Sequence, residues 1–427
     1  MRSAAVIVAA PGVHLAFNGL VDNASPDGFG WRSRMGGSYG GAREEDRGAR
    51  PGRALAEVIG IFLKLGVIGF GGPAAHTAMM RDELVRRRGW VSDERFVDLM
   101  GATNLIPGPN STELAIHLGH ERARWRGLIA AGVCFILPAF AIVLALAWAY
   151  TRYGRTPAAE GLLYGIKPVV VAIVVWALAG LLKTAVKGRL TGLVAAAALA
   201  AYLLGVDELL VLAAGGLLVM AVRTGESWLP RGGAPALFLP LLGDPRFPDP
   251  TGGQLTQLFL NFLKIGSVLY GSGYVLLAFL EGDFVERLGW ITGDQLLDAI
   301  SIGQVTPGPV FTTATFIGYV VAGLPGAVLA TVGIFAPSFV FVGLLTRVVD
   351  RIRDRAWSSA FLDGVNATAL ALMAGVTIEL AGEAFVDPLT VGLAVLALLL
   401  QWRTKLNTAW FIAVAAVIGL ARVLIMQ

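Results

Sequence analysis

Two stretches of the chain, NLIPGPNSTELAI at 104–116 and QVTPGPVFTTATF at 304–316, set Pro-Gly-Pro inside apolar sequence. Proline lacks an N–H and clashes with the preceding helical turn, so each triplet should break a helix. Behind each break a new helix can start, and a helix start offers free N–H groups and a positive dipole end. Two such starts facing each other would suit a compact tetrahedral oxyanion. Behind Pro107, Gly108 and Pro109, Asn110 or Ser111 can cap the new helix, with Glu113 in its first turn. Behind Pro307, Gly308 and Pro309 stand Thr312 and Thr313. A second kind of break, Gly71-Gly72-Pro73, has its counterpart around Gly271 and Ser272. Asn104 and Gln304 precede the two triplets and can donate to an anion or to backbone. Lys64, Lys264 and Lys167 lie in apolar surroundings, where a charge is costly and usually functional. Each is a candidate anion partner, although Lys64 and Lys264 would equally suit snorkelling to an interface. Asn366 is the repeat counterpart of Lys167. Glu113, Glu281, Glu379 and His76 are candidate proton carriers. The same breaks would also suit plain kinks in a packed bundle. The HLGH at 117–120 lacks further ligands, so no metal site is expected. With four histidines, one cysteine and no paired-carboxylate motif, an intramembrane enzyme is not expected either.

The elements that must position these residues come in two copies. FLKLGVIGFGG at 62–72 matches FLKIGSVLYGS at 262–272 with five identities, at an offset of 200. Gly89-Trp90, Asp98 and the first Pro-Gly-Pro recur at the same offset. After one deletion, Gly119, Pro138 and GIKPVVVA (165–172) recur at offset 199 as Gly318, Pro337 and GVNATALA (364–371). The repeats run over 54–225 and 254–427, behind a tail at 1–53 and around a Pro/Gly-rich linker at 226–253. The tail is rich in Gly, Arg, Ser and Asp and is read as poorly ordered, with Met35 as the natural start.

With 56% hydrophobic and 15% charged residues, the chain reads as all-α and polytopic in a membrane, not as a nucleic-acid binder. Basic residues tell its orientation. The stretches 81–95, 120–126 and 183–189 carry five, three and three Lys or Arg; their repeat partners carry one, none and none. The bias reverses at 151–155, with two, against 347–355, with four. Basic loops face the cytoplasm, so the two repeats are expected upside down relative to each other, as in secondary transporters. Two basic loops flank 97–118, which should therefore dip in and return. With 55–80 as one span, each half has five spans plus a re-entrant hairpin, about ten spans in all. One conflict remains: the four arginines at 43–53 argue for a cytoplasmic tail, and then 55–80 must itself turn back.

FLKLGVIGFGGPAAH followed by NLIPGPNSTELAIHLG, repeated as FLKIGSVLYGSGYVLLAF and QVTPGPVFTTATFIGY, closely resembles the long, bidomain form of the chromate ion transporter family, over residues 55–425. The resemblance implies a bacterial inner-membrane carrier that exports chromate, a sulfate analogue, at the expense of the proton motive force. Its partners would be chromate or sulfate, protons and the lipid bilayer, with no cofactor; a homodimer is left open. A sulfate permease or channel-like anion pathway is the alternative. The family's motif residues carry over as Gly69, Phe70, Gly71, Gly72 and Pro73 and as Pro107, Gly108 and Pro109. In the second half Tyr270, Gly271, Ser272 and Gly273 depart from that pattern, so a milder second break is expected.

Overall fold

A computed structural model describes residues 51–103, 106–154, 156–224, 253–270, 275–352, 356–404 and 406–426. The tail, nearly all of the linker, Asn104, Gly271 and Ser272 lie outside the described residues, so the expectations for them are neither met nor overturned. Among the described residues every regular element is helical. The first half contains α1 (Pro51–Ile68), α2 (Gly72–Met80), α3 (Asp93–Thr103), α4 (Asn110–Tyr153), α5 (Pro157–Ala185), α6 (Arg189–Leu203) and α7 (Glu208–Thr224). The second half repeats them as α8 (Gln254–Val268), α9 (Leu276–Leu280), α10 (Gly293–Val305), α11 (Thr313–Ile352), α12 (Ala356–Ala384), α13 (Pro388–Arg403) and α14 (Thr408–Met426). Wider helical turns at Arg81–Arg87 and Glu281–Arg287 extend α2 and α9. Five helices are long and apolar enough to cross a membrane.

Ion pairs show where the chain turns back. A continuous helix from Lys64 to Glu83 would separate them by about 28 Å at 1.5 Å per residue. Lys64 Nζ instead lies 3.3 Å from Glu83 Oε2. Residues 55–80 are therefore a hairpin around Gly69–Gly72, where Gly71 and Gly72 take φ of 105° and 75°. Glycine alone reaches such angles without steric cost. This replaces one of the five expected crossings in the half and resolves the conflict over the arginines. Arg95, at the start of α3, meets Glu121 near the end of the first limb of α4 at 2.5 Å. So 93–122 is the expected second hairpin, broken at Pro107-Gly108-Pro109. In the second half, Lys264 to Asp283 at 2.6 Å closes the first hairpin in the same way.

α4 itself doubles back. Its helix is interrupted at Ala123 (φ −138°, ψ 27°) and Arg124 (φ 52°, ψ −142°), and α11 at Ala322 and Gly323 with nearly the same angles. The limbs then pack so closely that a Cβ on Gly119 would collide with the Gly127 carbonyl. Gly318 and Gly326 repeat this contact. Lipid supplies no hydrophobic force between helices, so close backbone approach at small residues does the packing. Gly161 and Gly165 of α5 meet Val423, Gly419 and Ala415 of α14, and Gly215 and Gly216 of α7 meet Gly364 of α12.

The halves run in opposite directions. Trp125, at the start of the crossing limb of α4, touches Gly343 late in α11, while Gly132 touches Phe339. The order runs forward on α4 and backward on α11, so these limbs are antiparallel. The expected inversion is present in the geometry. The basic stretches 81–95, 120–126 and 183–189 all fall on one side, called the basic side below. α7 returns to it, since Arg223 and Lys187 share Asp363. α8 starts from the other side.

Candidate functional site

The two Pro-Gly-Pro turns meet at the pseudo-twofold axis. Gly108 N–H donates to the Leu269 carbonyl at 2.7 Å, and Gly308 N–H donates to the Gly69 carbonyl at 2.7 Å. Each triplet is thus tied to the first break of the opposite half. Leu269 and Gly69 are repeat counterparts, so one bond repeats the other. Irregular backbone at membrane depth survives only when its polar groups are satisfied, and here each half satisfies the other. Gly108 and Gly308 take φ of 136° and 98°. A Cβ on Gly108 would collide with Glu113 Oε1, and one on Gly308 would lie 2.8 Å from Ala139 Cβ.

Beside this junction lies a cavity of about 310 Å³. Pro73, His76, Pro109, Asn110, Ser111, Pro309 and Asn366 line it, and all seven are among the sequence-derived candidates. Thr184, Val275, Phe311 and Met373 also line it and were not expected. Thr184 and Met373 carry no punctuation in the sequence and come in by the packing of α5 and α12, while Val275 and Phe311 follow the two breaks of the second half. Leu181, Thr184 and Ala185, in the last turn of α5, form one wall. α5 ends on the basic side, so the cavity leans towards that side.

His76 has both ring nitrogens engaged. Nε2 lies 2.9 Å from the Gly69 carbonyl, which can only accept, so Nε2 carries a proton. In the neutral ring Nδ1 is then an acceptor for the Ser111 hydroxyl at 3.2 Å. The carbonyl of Gly69 therefore joins His76 to Gly308 of the other half, and Ser111 sits in the first turn of α4. Glu113 is fully buried behind that turn. Its Oε1 accepts from Ser338 Oγ at 3.3 Å, while Oε2 has no hydrogen-bond partner among the described residues.

Several expectations are corrected. No side chain caps α4: Pro109 occupies the cap position and Asn110 is the first helical residue. Thr312 and Thr313 spend their hydroxyl protons on the Pro309 and Val310 carbonyls at 2.8 Å and lie outside the cavity wall. The three lysines are also elsewhere. Lys64 and Lys264 pair with Glu83 and Asp283 inside their own hairpins. Lys167 pairs with Asp294 and, at 3.1 Å, with Asp298, in a separate vestibule of about 710 Å³ on the far side. Each lysine met a carboxylate that the linear sequence holds 19 or more positions away. Gln304 does not line the cavity, and its Nε2 is buried without a partner among the described residues. Among the described residues no Lys or Arg lines the cavity, so a bound anion would face half-helix starts, two asparagines, a serine, a threonine and an imidazole.

Glu281 and Glu379, expected as separate proton carriers, fall into one neighbourhood on the far side. Glu379 accepts from Tyr202 Oη at 2.8 Å, and Glu379 is the first charge acting on Glu281.

Two antiparallel copies of one helical unit, with paired broken helices around a polar cavity, define a multi-pass membrane protein built on the inverted-repeat plan of secondary transporters. The chain belongs to the chromate transporter family: the profile described as Chromate transporter matches residues 56–220 and again 256–420, one match per half. It is 35% identical over 382 residues to the chromate transport protein of Cupriavidus metallidurans, covering 87% of this chain and 94% of that one. It is 33% identical to the chromate transport protein of Pseudomonas aeruginosa, over 86% of this chain and 92% of the relative. To the probable chromate transport protein of Synechococcus elongatus it is 32% identical, over 86% and 96%. No solved structure matches.

Proposed function

We propose that this protein exports chromate, a divalent tetrahedral oxyanion of the sulfate class, from the cytoplasm of a bacterium by alternating access, driven by the proton motive force. The observation that carries the reading is the junction of two oppositely oriented Pro-Gly-Pro turns at one cavity with no lysine or arginine in its wall among the described residues. Two half-helix starts supply partial positive charge at fixed positions. Asn110 and Asn366 add amide donors suited to tetrahedral oxygens, while the Ser111 and Thr184 hydroxyls are turned to His76 and the Leu181 carbonyl. A site of dipoles and neutral donors holds a dianion without the deep well that a buried lysine would create, and release on the far side then stays fast. The cavity leans to the basic side, so the conformation is the one that would load from the cytoplasm. Rocking of the halves about the Gly108–Leu269 and Gly308–Gly69 bonds would expose it to the far side.

Everted membrane vesicles should take up chromate when an inward-acidic gradient is imposed, with sulfate as competitor. Failure to accumulate either anion would overturn the reading. Accumulation of sulfate alone would reassign the protein as a sulfate carrier.

A further inference from the structure

We propose that the coupling protons bind on the far side of the molecule, in a carboxylate cluster centred on Glu281, and that this cluster fastens together two elements that line the anion cavity. The inference rests on the transport reading above and deepens it.

Glu281 opens the wide turn after α9 and is only 8% exposed. Its Oε2 is buried with no hydrogen-bond partner among the described residues. The charges acting on it are Glu379 and Glu383 of α12 and Glu286 of its own turn. Glu208, in the first turn of α7, abuts the next residue: a Cβ on Gly282 would collide with Glu208 Oε1. Tyr202 of α6 donates to Glu379 and also feels Glu208 and Glu286. Asp283 faces Glu208 from the same turn, but it is already matched by Lys264 at 2.6 Å and Arg287 at 3.0 Å. Among the described residues no Lys or Arg forms an ion pair with Glu208, Glu281, Glu286, Glu379 or Glu383. Glu286, Glu379 and Glu383 are exposed, but Glu281 is buried and Glu208 half-buried beside them with no ion-pair partner, so these two are the hardest of the five to keep charged. The five do not converge on one point either, since no described group of acidic residues is arranged to hold a metal ion. Protons, which bind carboxylates one at a time, meet the requirement.

The position ties the cluster to the cavity. Val275 and Met373 line the cavity. Glu281 stands six residues past Val275, and Glu379 six residues past Met373, roughly 9 Å along a helix. Protonated, the two elements can close against each other; charged, they repel. Proton uptake from the far side thus favours closure there and the return of the cavity to the basic side. The repeat sharpens this reading. The counterparts of Glu281, Glu286, Glu379, Glu383 and Glu208 in the other half are Arg81, Arg86, Gly180, Thr184 and Thr408. The acidic cluster has therefore no equivalent on the basic side, and a device present in one half alone gives transport a direction.

Two measurements on the full-length protein test this. The first needs no anion: a hydrophobic carbodiimide adds to a protonated carboxyl and leaves a stable N-acylurea readable by mass spectrometry. In the purified wild type, Glu281 or Glu208 should be modified at acidic pH and spared at alkaline pH. No modification, or equal modification at every pH, overturns the proposal. The second compares gradient-driven chromate accumulation with gradient-free isotope exchange in vesicles. Glu281→Gln should lower the first relative to the second; an unchanged ratio in both Glu281→Gln and the Glu208→Gln/Glu281→Gln double variant overturns the proposal. If the wild type moves no anion while the labelling still follows pH, the transport reading fails and the proton site stands.

Discussion

Single residues carry the site through shape as much as through chemistry. Gly108 is held at φ 136° and has Glu113 Oε1 and Ser338 Oγ where a Cβ would go. Gly108→Ala must both strain the backbone and push a buried carboxylate aside, a combined cost of about 3 kcal/mol or more. The expected outcome is loss of folded protein in membranes, measured by size-exclusion profile; a monodisperse, active Gly108→Ala variant would refute this packing. At the cavity wall the test is subtler. Asn366→Ala removes one neutral donor and should raise the chromate KM several-fold, about 1 kcal/mol per hydrogen bond, with little change in protein level. Lys64→Ala, by contrast, should leave KM alone, since Lys64 is engaged with Glu83. The sequence made the glycines and prolines legible, because their backbone chemistry is local. It misled about the lysines, because a charge in an apolar stretch shows its own cost and hides its partner. Glu83, Asp283, Asp294 and Asp298 are brought in only by the hairpins and by the opposite half.

Elements are positioned by turns, and two of these turns carry testable strain or charge. Arg124 adopts φ 52°, ψ −142° where the second half places Gly323 at nearly the same angles. A non-glycine residue there costs about 1–3 kcal/mol. Arg124→Gly should therefore raise the melting temperature in detergent; a lower value would mean that the arginine makes up its strain through contacts. At the water-facing end of the first hairpin, Glu83 is held below the usual carboxylate range, chiefly by the Arg88 guanidinium and then by Lys64. A lowered carboxyl contributes stability above its ordinary value of 4.5 and loses it as the pH falls through the folded value. The protection of amides in 81–92, relative to their intrinsic exchange rate, should fall on acidification, and Glu83→Gln should flatten that dependence. On the far side, Lys167 ties α5 to α10, the helix that leads into the second Pro-Gly-Pro. Its removal leaves the buried Asp298 without a cation and held by Tyr150 alone, which costs about 3–5 kcal/mol for a pair of this kind. With Cys134 replaced by serine, a cysteine at Ser111 should become open to an impermeant maleimide from the far side when Lys167→Ala is added. Unchanged labelling would show that the ion pair does not hold that side closed. The repeat made hairpin 97–118 readable from its flanking arginines. The hairpin at 55–80 was ambiguous because its outer flank is a tail and not a loop.

At the scale of the molecule, inversion and charge act together. The basic stretches gather on one face, and the carboxylates around Glu281 lie towards the other, so two copies of one fold present opposite surfaces to the two compartments. A divalent anion is drawn towards the first face and repelled by the second, which suits outward release. The sequence foretold this from loop charges alone, with five crossings per half to satisfy the inversion. The structure keeps the inversion with four helical passes, the second limb of α4, then α5, α6 and α7, of which α6 with 15 residues and α7 with 17 are shorter than a full span. Four is even, so a half that starts on the basic side also ends there, and the next half must start on the far side. Arg223, one residue before the end of α7, pairs with Asp363 beside Lys187, on the basic side. α8 runs alongside the crossing limb of α11, where a Cβ on Gly266 meets the Ile334 carbonyl, and that limb is antiparallel to its counterpart in α4. Thr224 and Gln254 must then lie on opposite faces of the membrane, although only 29 residues separate them. Single cysteines at these two positions, in a Cys134→Ser background, should react with an impermeant maleimide from opposite sides: Thr224→Cys in everted vesicles and Gln254→Cys in intact cells. Reaction of both from the same side would require either a fifth crossing in the first half or parallel halves. Parallel halves are incompatible with Trp125 meeting Gly343 while Gly132 meets Phe339. The labelling result therefore decides between this fold and one in which 55–80 crosses after all.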